Sequence, residues 1–177
     1  MNKFAMTAVA CAVATGVMAE TKPFQASLTP DIAIHSRDTR INGVALSIWG
    51  ENPQSAFALG FVNGASGDSV GLSLGLANYA ENYKGVQWSF VNCATGEFVG
   101  WQDGFVNYAN SMTGFQSGAV NIAKKMKGLQ LGAVNYAETV DSGVQIGFVN
   151  IITQNEWFRN FPNELAKGFV FVNWRFE

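Results

Sequence analysis

Few residues of this chain have the chemistry to act on a substrate. His35 is the one histidine, so a Ser-His-Asp or Cys-His arrangement would have to use it. It sits in an alternating stretch with no visible partner and reads as a structural or surface side chain. Cys93 reads as a packed thiol acting as a small apolar residue. With Cys11 set apart in the apolar N-terminal run, His35 and Cys93 each stand alone, and a metal site built from several His or Cys ligands is excluded by count. Glu51, Glu81, Glu97, Glu138 and Glu156 fall in connecting segments and form no repeated carboxylate pair, which leaves general acid–base work without support. Lys124, Lys125 and Lys127 form a short basic run that reads as a solvated turn, with contact to anionic lipid or polysaccharide as the minority reading. These residues point to a non-enzymatic protein without cofactor or metal.

One group suggests recognition instead. Trp88, Asp103 and Ser117 stand where other repeats carry Leu or Ile, and Trp101 lies near them. An aromatic ring beside a carboxylate suits sugar or peptide contacts, so these four residues form a candidate binding patch for a glycan, protein or other envelope partner.

The elements that position them are repeats. Gly128-Leu-Gln-Leu-Gly-Ala-Val-Asn-Tyr-Ala137 returns as Gly114-Phe-Gln-Ser-Gly-Ala-Val-Asn-Ile-Ala123 and as Gly143-Val-Gln-Ile-Gly-Phe-Val-Asn150. Units start at Gly43, Ala56, Gly71, Gly85, Gly100, Gly114, Gly128 and Gly143, a spacing of 13 to 15 residues. With the starting residue as position zero, position two carries Gln87, Gln102, Gln116, Gln130 and Gln145. Position seven carries Asn63, Asn78, Asn92, Asn107, Asn121, Asn135 and Asn150. Position four is glycine in nearly every unit, and position nine is mostly alanine. Position one is always apolar and reads as a core column. Stacked amides can donate and accept along a ladder, while the glycines admit close backbone approach.

A short period with repeated glycines suits strands rather than helices. The expected fold is all-β: a parallel β-solenoid of about eight coils of 14–15 residues. Residues 20–42 form an N-terminal cap, 43–152 the repeats and 153–177 a C-terminal cap that includes the aromatics Trp157, Phe158 and Phe161. The alternative is an antiparallel meander or a small outer-membrane β-barrel, whose strand-plus-turn period is similar. In a barrel the motif would reverse in successive strands and no amide ladder would form.

Residues 1–19 carry a lysine, an apolar run and a small-residue site, the pattern of a secretory signal peptide. Cys93 is then the sole cysteine of the mature chain, so packing and backbone pairing must supply stability. A net charge of −2 gives no electrostatic case for nucleic acid.

The phrase G-x-Q-x-G-x-x-N-x-A, running from Gly43 to Phe176, resembles the repeats of bacterial surface-repeat proteins first named in spirochaetes. That resemblance implies exported surface or envelope placement and no particular activity. The core Gln130-Leu-Gly-Ala-Val-Asn-Tyr-Ala137 is also similar to the curlin repeat of amyloid fibre subunits, which implies a strand–arc–strand coil. The expected function is therefore an exported structural or interaction module. Outer-membrane association as a barrel and self-association as a curlin-like fibre subunit are the alternatives.

Overall fold

A computed structural model describes residues 20–176; the expected signal peptide lies outside them. The chain is a stack of flattened β coils. Strands run in the order β1 (Thr21–Thr29), β2 (Ile32–Ala33), β3 (Arg40–Asn52), β4 (Ser55–Leu74), β5 (Ala77–Trp88), β6 (Val91–Ile152) and β7 (Gly168–Phe176). β6 is one extended run of 62 residues that passes round the stack repeatedly.

Successive coils run the same way. Val44 of β3 stands beside Phe57 of β4, Asn63 beside Asn78 of β5, and Val86 beside Trp101 of β6, all in parallel register. Within β6 the stacking continues: an atom added at the Cα of Gly114 or Gly128 would lie 2.2 Å or 2.0 Å from the carbonyl oxygen of Gly100 or Gly114. The antiparallel meander or barrel is thereby excluded.

Each end is closed by a strand outside the regular repeats. β1 pairs in parallel with β3, Gln25 beside Ala45, and Gln25 is fully buried. The N-terminal cover is thus itself a rung, with β2 folded antiparallel against it. At the other end β7 runs antiparallel to the last coil and sets Asn173 opposite Gln145. Asn173 therefore lies outside the asparagine column; its Nδ2 donates to the carbonyl of Ala166 at 2.8 Å. The coils are not eight equal units: Ala45, Ala58 and Ser73 stand where later coils place the ladder glutamine, so that ladder begins only at Gln87.

The lumen reverses the expected sense of the pattern. Position one was expected inside, yet Val44, Phe57 and Trp101 are exposed. The enclosed residues are the position-two glutamines and position-seven asparagines, with alanines at position nine and a column of Tyr83, Phe98, Met112, Met126 and Val140. A coil of about 14 residues encloses too little volume for apolar side chains from both walls. Side chains alternate across a strand, so admitting the glutamine turns both of its apolar neighbours outward.

Candidate interaction surface

Two amide columns, from Asn63 and from Gln87 onward, fix successive coils at one height. Asn63 Nδ2 donates to Asn78 Oδ1 at 3.0 Å, and the pattern repeats from Asn78 to Asn92, Asn107, Asn121, Asn135 and Asn150 at 2.8–3.0 Å. The glutamine ladder runs the other way. Gln102, Gln116, Gln130 and Gln145 each donate Nε2 to the glutamine one coil earlier at 2.7–2.9 Å. Asparagine amides thus donate toward the C-terminus and glutamine amides toward the N-terminus, so their dipoles oppose. The glutamine chain ends on Gln145 Oε1, which is buried without a hydrogen-bond partner.

With polar groups inside, the apolar ones form a surface. The position-three column runs from Leu46 through Leu59, Leu74, Trp88, Asp103, Ser117 and Leu131 to Ile146, with Ala26 and Val172 beside its ends. Position five contributes Ile48, Phe61, Leu76, Phe90, Phe105 and Phe148, all more than half exposed. The rings of Phe90 and Phe105 stack at 5.0 Å and those of Trp101 and Phe115 at 6.0 Å. Glycines at position four floor shallow grooves between the two columns, one lined by Leu59, Phe61 and Leu76, another by Leu131, Ile146 and Phe148. Phe171 is held at φ 66°, a left-handed conformation that costs a side-chain-bearing residue about 1 kcal/mol, and its ring joins the second groove. The opposite side is polar, with Lys84, Glu97, Lys124, Lys125, Lys127, Glu138 and Asp141 exposed. Exposed apolar area of this extent makes the face a candidate interaction surface.

The four patch residues come together on this face. Trp88 and Asp103 are neighbours in register. Trp101 Nε1 donates to Ser117 Oγ at 2.9 Å, and Ser117 Oγ donates to Asp103 Oδ1. The indole N–H of Trp88 has no protein partner among the described residues, and its ring is 57% exposed. The patch is a polar island in an apolar field.

The other candidates sit elsewhere. His35 meets Gln25 through its backbone, N–H to Oε1 at 3.0 Å and carbonyl to Nε2 at 2.8 Å. Cys93 is half-buried beside Tyr79, and burial pushes its thiol above the usual range, which disfavours a thiolate. Among the described residues no three His, Cys, Asp or Glu side chains converge as metal ligands. Trp157, Phe158 and Phe161 do not close the end of the core: all three stay more than half exposed, Trp157 and Phe158 against Phe169 and Phe161 against Trp174, while Leu165 and Ala166 are buried there.

One cluster was not legible from the repeats. Tyr79 Oη donates to Glu51 Oε2 and accepts from Trp49 Nε1 at 3.1 Å, and its ring lies over Gly64. Only the glycine at position 64, outside the repeated glycine columns, hints that something large crosses there. Burial, with the Glu51 bond adding, pushes the Tyr79 phenol up to about 12. A raised value means the folded chain favours the neutral phenol. That stabilisation is complete below the ordinary value of about 10 and is lost as pH rises toward about 12. Tyr79→Phe should therefore be less stable than wild type near neutrality and should lose less between pH 10 and 12. Urea midpoints across that window would show it; parallel curves would detach Tyr79 from the alkaline transition.

Comparison with known protein families, characterised proteins and solved structures finds no match for this chain.

Proposed function

We propose that this chain is an exported, non-enzymatic module of a bacterial cell envelope that works by docking its apolar face onto a partner surface. The observation that carries this reading is the inversion of the coil: amides fill the lumen, and Leu, Phe, Val and Trp columns line one outer face. An apolar face of that length has no role in closing the fold, since the ladders and the narrow apolar column within the coils already do so. The signal-like residues 1–19 and the resemblance to surface-repeat proteins support export.

The test is fractionation with a matched pair of chains. Ile146 and Phe148 are 42% and 72% exposed, so lysine at both positions should leave the circular dichroism spectrum and melting midpoint near wild type. Wild type should have the face occupied, either staying with envelope material until detergent is added or sedimenting above monomer mass, and the Ile146→Lys/Phe148→Lys chain should be released in buffer alone as a monomer. Release of wild type without detergent as a monomer would overturn the docking reading.

A further inference from the structure

We infer that the partner on the apolar face is a second copy of this chain, laid face to face and end over end. The inference rests on the docking reading and specifies its occupant. Three observations lead there.

The first is area. Rungs about 4.8 Å apart from Ala26 to Val172 give a length of roughly 43 Å, and positions one to six span roughly 17 Å. The product, about 700 Å², approaches the ~800 Å² that each partner contributes to a standard stable interface.

The second is charge. Asp103 is the one ionised group in the position-three column and lies at its middle, between Leu46 and Ile146. A bilayer seated on this face would take that carboxylate into hydrocarbon, which is costly. A two-fold axis lying in the face, parallel to the strands and passing between Trp88 and Asp103, does something different. It sets Asp103 of each copy against Trp88 of the other. The unpartnered indole N–H then meets a carboxylate whose internal donor is Ser117. The other two-fold, parallel to the stack, would set Asp103 against itself, and like charges directly opposed are destabilising.

The third is shape. The same end-over-end axis places Phe61 over Ala133 and Leu76 over Ala119 in the position-five column, large against small. In the position-three column it places Leu59 over Leu131, and in the position-five column it also sets Phe90 over Phe105 and Ile48 over Phe148. The large-against-small fit therefore belongs to the pairs Phe61 with Ala133 and Leu76 with Ala119, across two sheet faces about 10 Å apart.

The experiment is sedimentation of purified protein with a charge swap. Wild type should sediment as a dimer. Leu59→Lys and Leu131→Asp, both at exposed positions, should each weaken the dimer by roughly 30-fold or more, the size of a central interface contact. Mixing the two single variants should restore a 1:1 dimer, because the axis brings position 59 of one copy onto position 131 of the other. Circular dichroism on each variant checks that the coils remain. A dimer that mixing does not restore would overturn this register. A monomeric wild type that floats with phosphatidylglycerol-containing vesicles would overturn the second copy and leave docking standing. A monomer that binds no vesicle and is released from the envelope without detergent would remove both.

Discussion

Alanine at position 118 should cost the protein most or all of its stability. The added methyl would fall 1.8 Å from the carbonyl oxygen of Gly104 and 2.8 Å from Asn107 Nδ2. Neither neighbour can move alone. The Gly104 carbonyl is backbone in the rung below, and Asn107 Nδ2 is held by Ser117 O at 2.8 Å and Asn121 Oδ1 at 2.9 Å. Making room means parting two coils, which breaks both amide ladders locally. A loss of about 4 kcal/mol or more follows, a large share of the 5–15 kcal/mol that holds a typical domain folded. Gly67 supplies the control. Nothing lies within 4 Å of a methyl there, although its φ of 57° is left-handed. Gly67→Ala should therefore lose only the conformational cost, about 1 kcal/mol. Urea unfolding of the two variants against wild type measures the difference. Equal losses would mean that the coils are not pressed together at position four.

That contrast also shows what the sequence could and could not reveal. Gly118, Asn121 and Gln116 were legible as columns because each recurs at one phase of a short period, and parallel stacking is the arrangement that brings like residues together. The side on which each column lies was harder to read. Leu129 and Leu131 look like core because apolar residues usually are. Yet they flank Gln130, and in a strand the three cannot share a face. The glutamine ladder and the apolar columns on either side of it could not both be inside, and ten buried donor–acceptor pairs, six between asparagines and four between glutamines, favoured the amides. Gln25 was missed as a rung because its unit begins at Pro23 rather than glycine. The direction of β7 was not legible, because Val172-Asn173 has the letters of the motif while its chain runs backwards, a matter of long-range pairing that no local pattern encodes. The patch of Trp88, Asp103 and Ser117 was visible as a break in a column. Its setting in a broad apolar face became visible only once the columns were assigned to inside or outside.

The second large effect belongs to the ladder itself. Asn121 Nδ2 donates to Leu131 O at 3.0 Å and to Asn135 Oδ1 at 2.9 Å, while its Oδ1 accepts from Asn107 Nδ2 at 2.9 Å. Leucine fills nearly the same volume and makes none of these bonds. Asn121→Leu would leave Asn135 Oδ1 without its donor and one Asn107 N–H without its acceptor, both in a lumen where the asparagines are 0% exposed. Each orphaned buried group costs about 1–3 kcal/mol, so the variant should lose roughly 3–5 kcal/mol. Asn107→Leu should lose a similar amount for the same reason. The double variant separates coupled asparagines from asparagines that act independently. Each single change breaks the bond between Asn107 and Asn121, so that bond is counted twice when the two losses are added. The double variant also removes the stranded partner along with the bond. Its loss should fall short of the sum by about 1–3 kcal/mol, the coupling expected of residues in one network. Chained amides polarise one another, which pushes the coupling toward the upper end. Additivity within about 0.5 kcal/mol, read from urea unfolding of all four chains, would show that the asparagines act one by one. The lumen would then owe its cohesion to backbone pairing and to the column of Tyr83, Phe98, Met112, Met126 and Val140 alone.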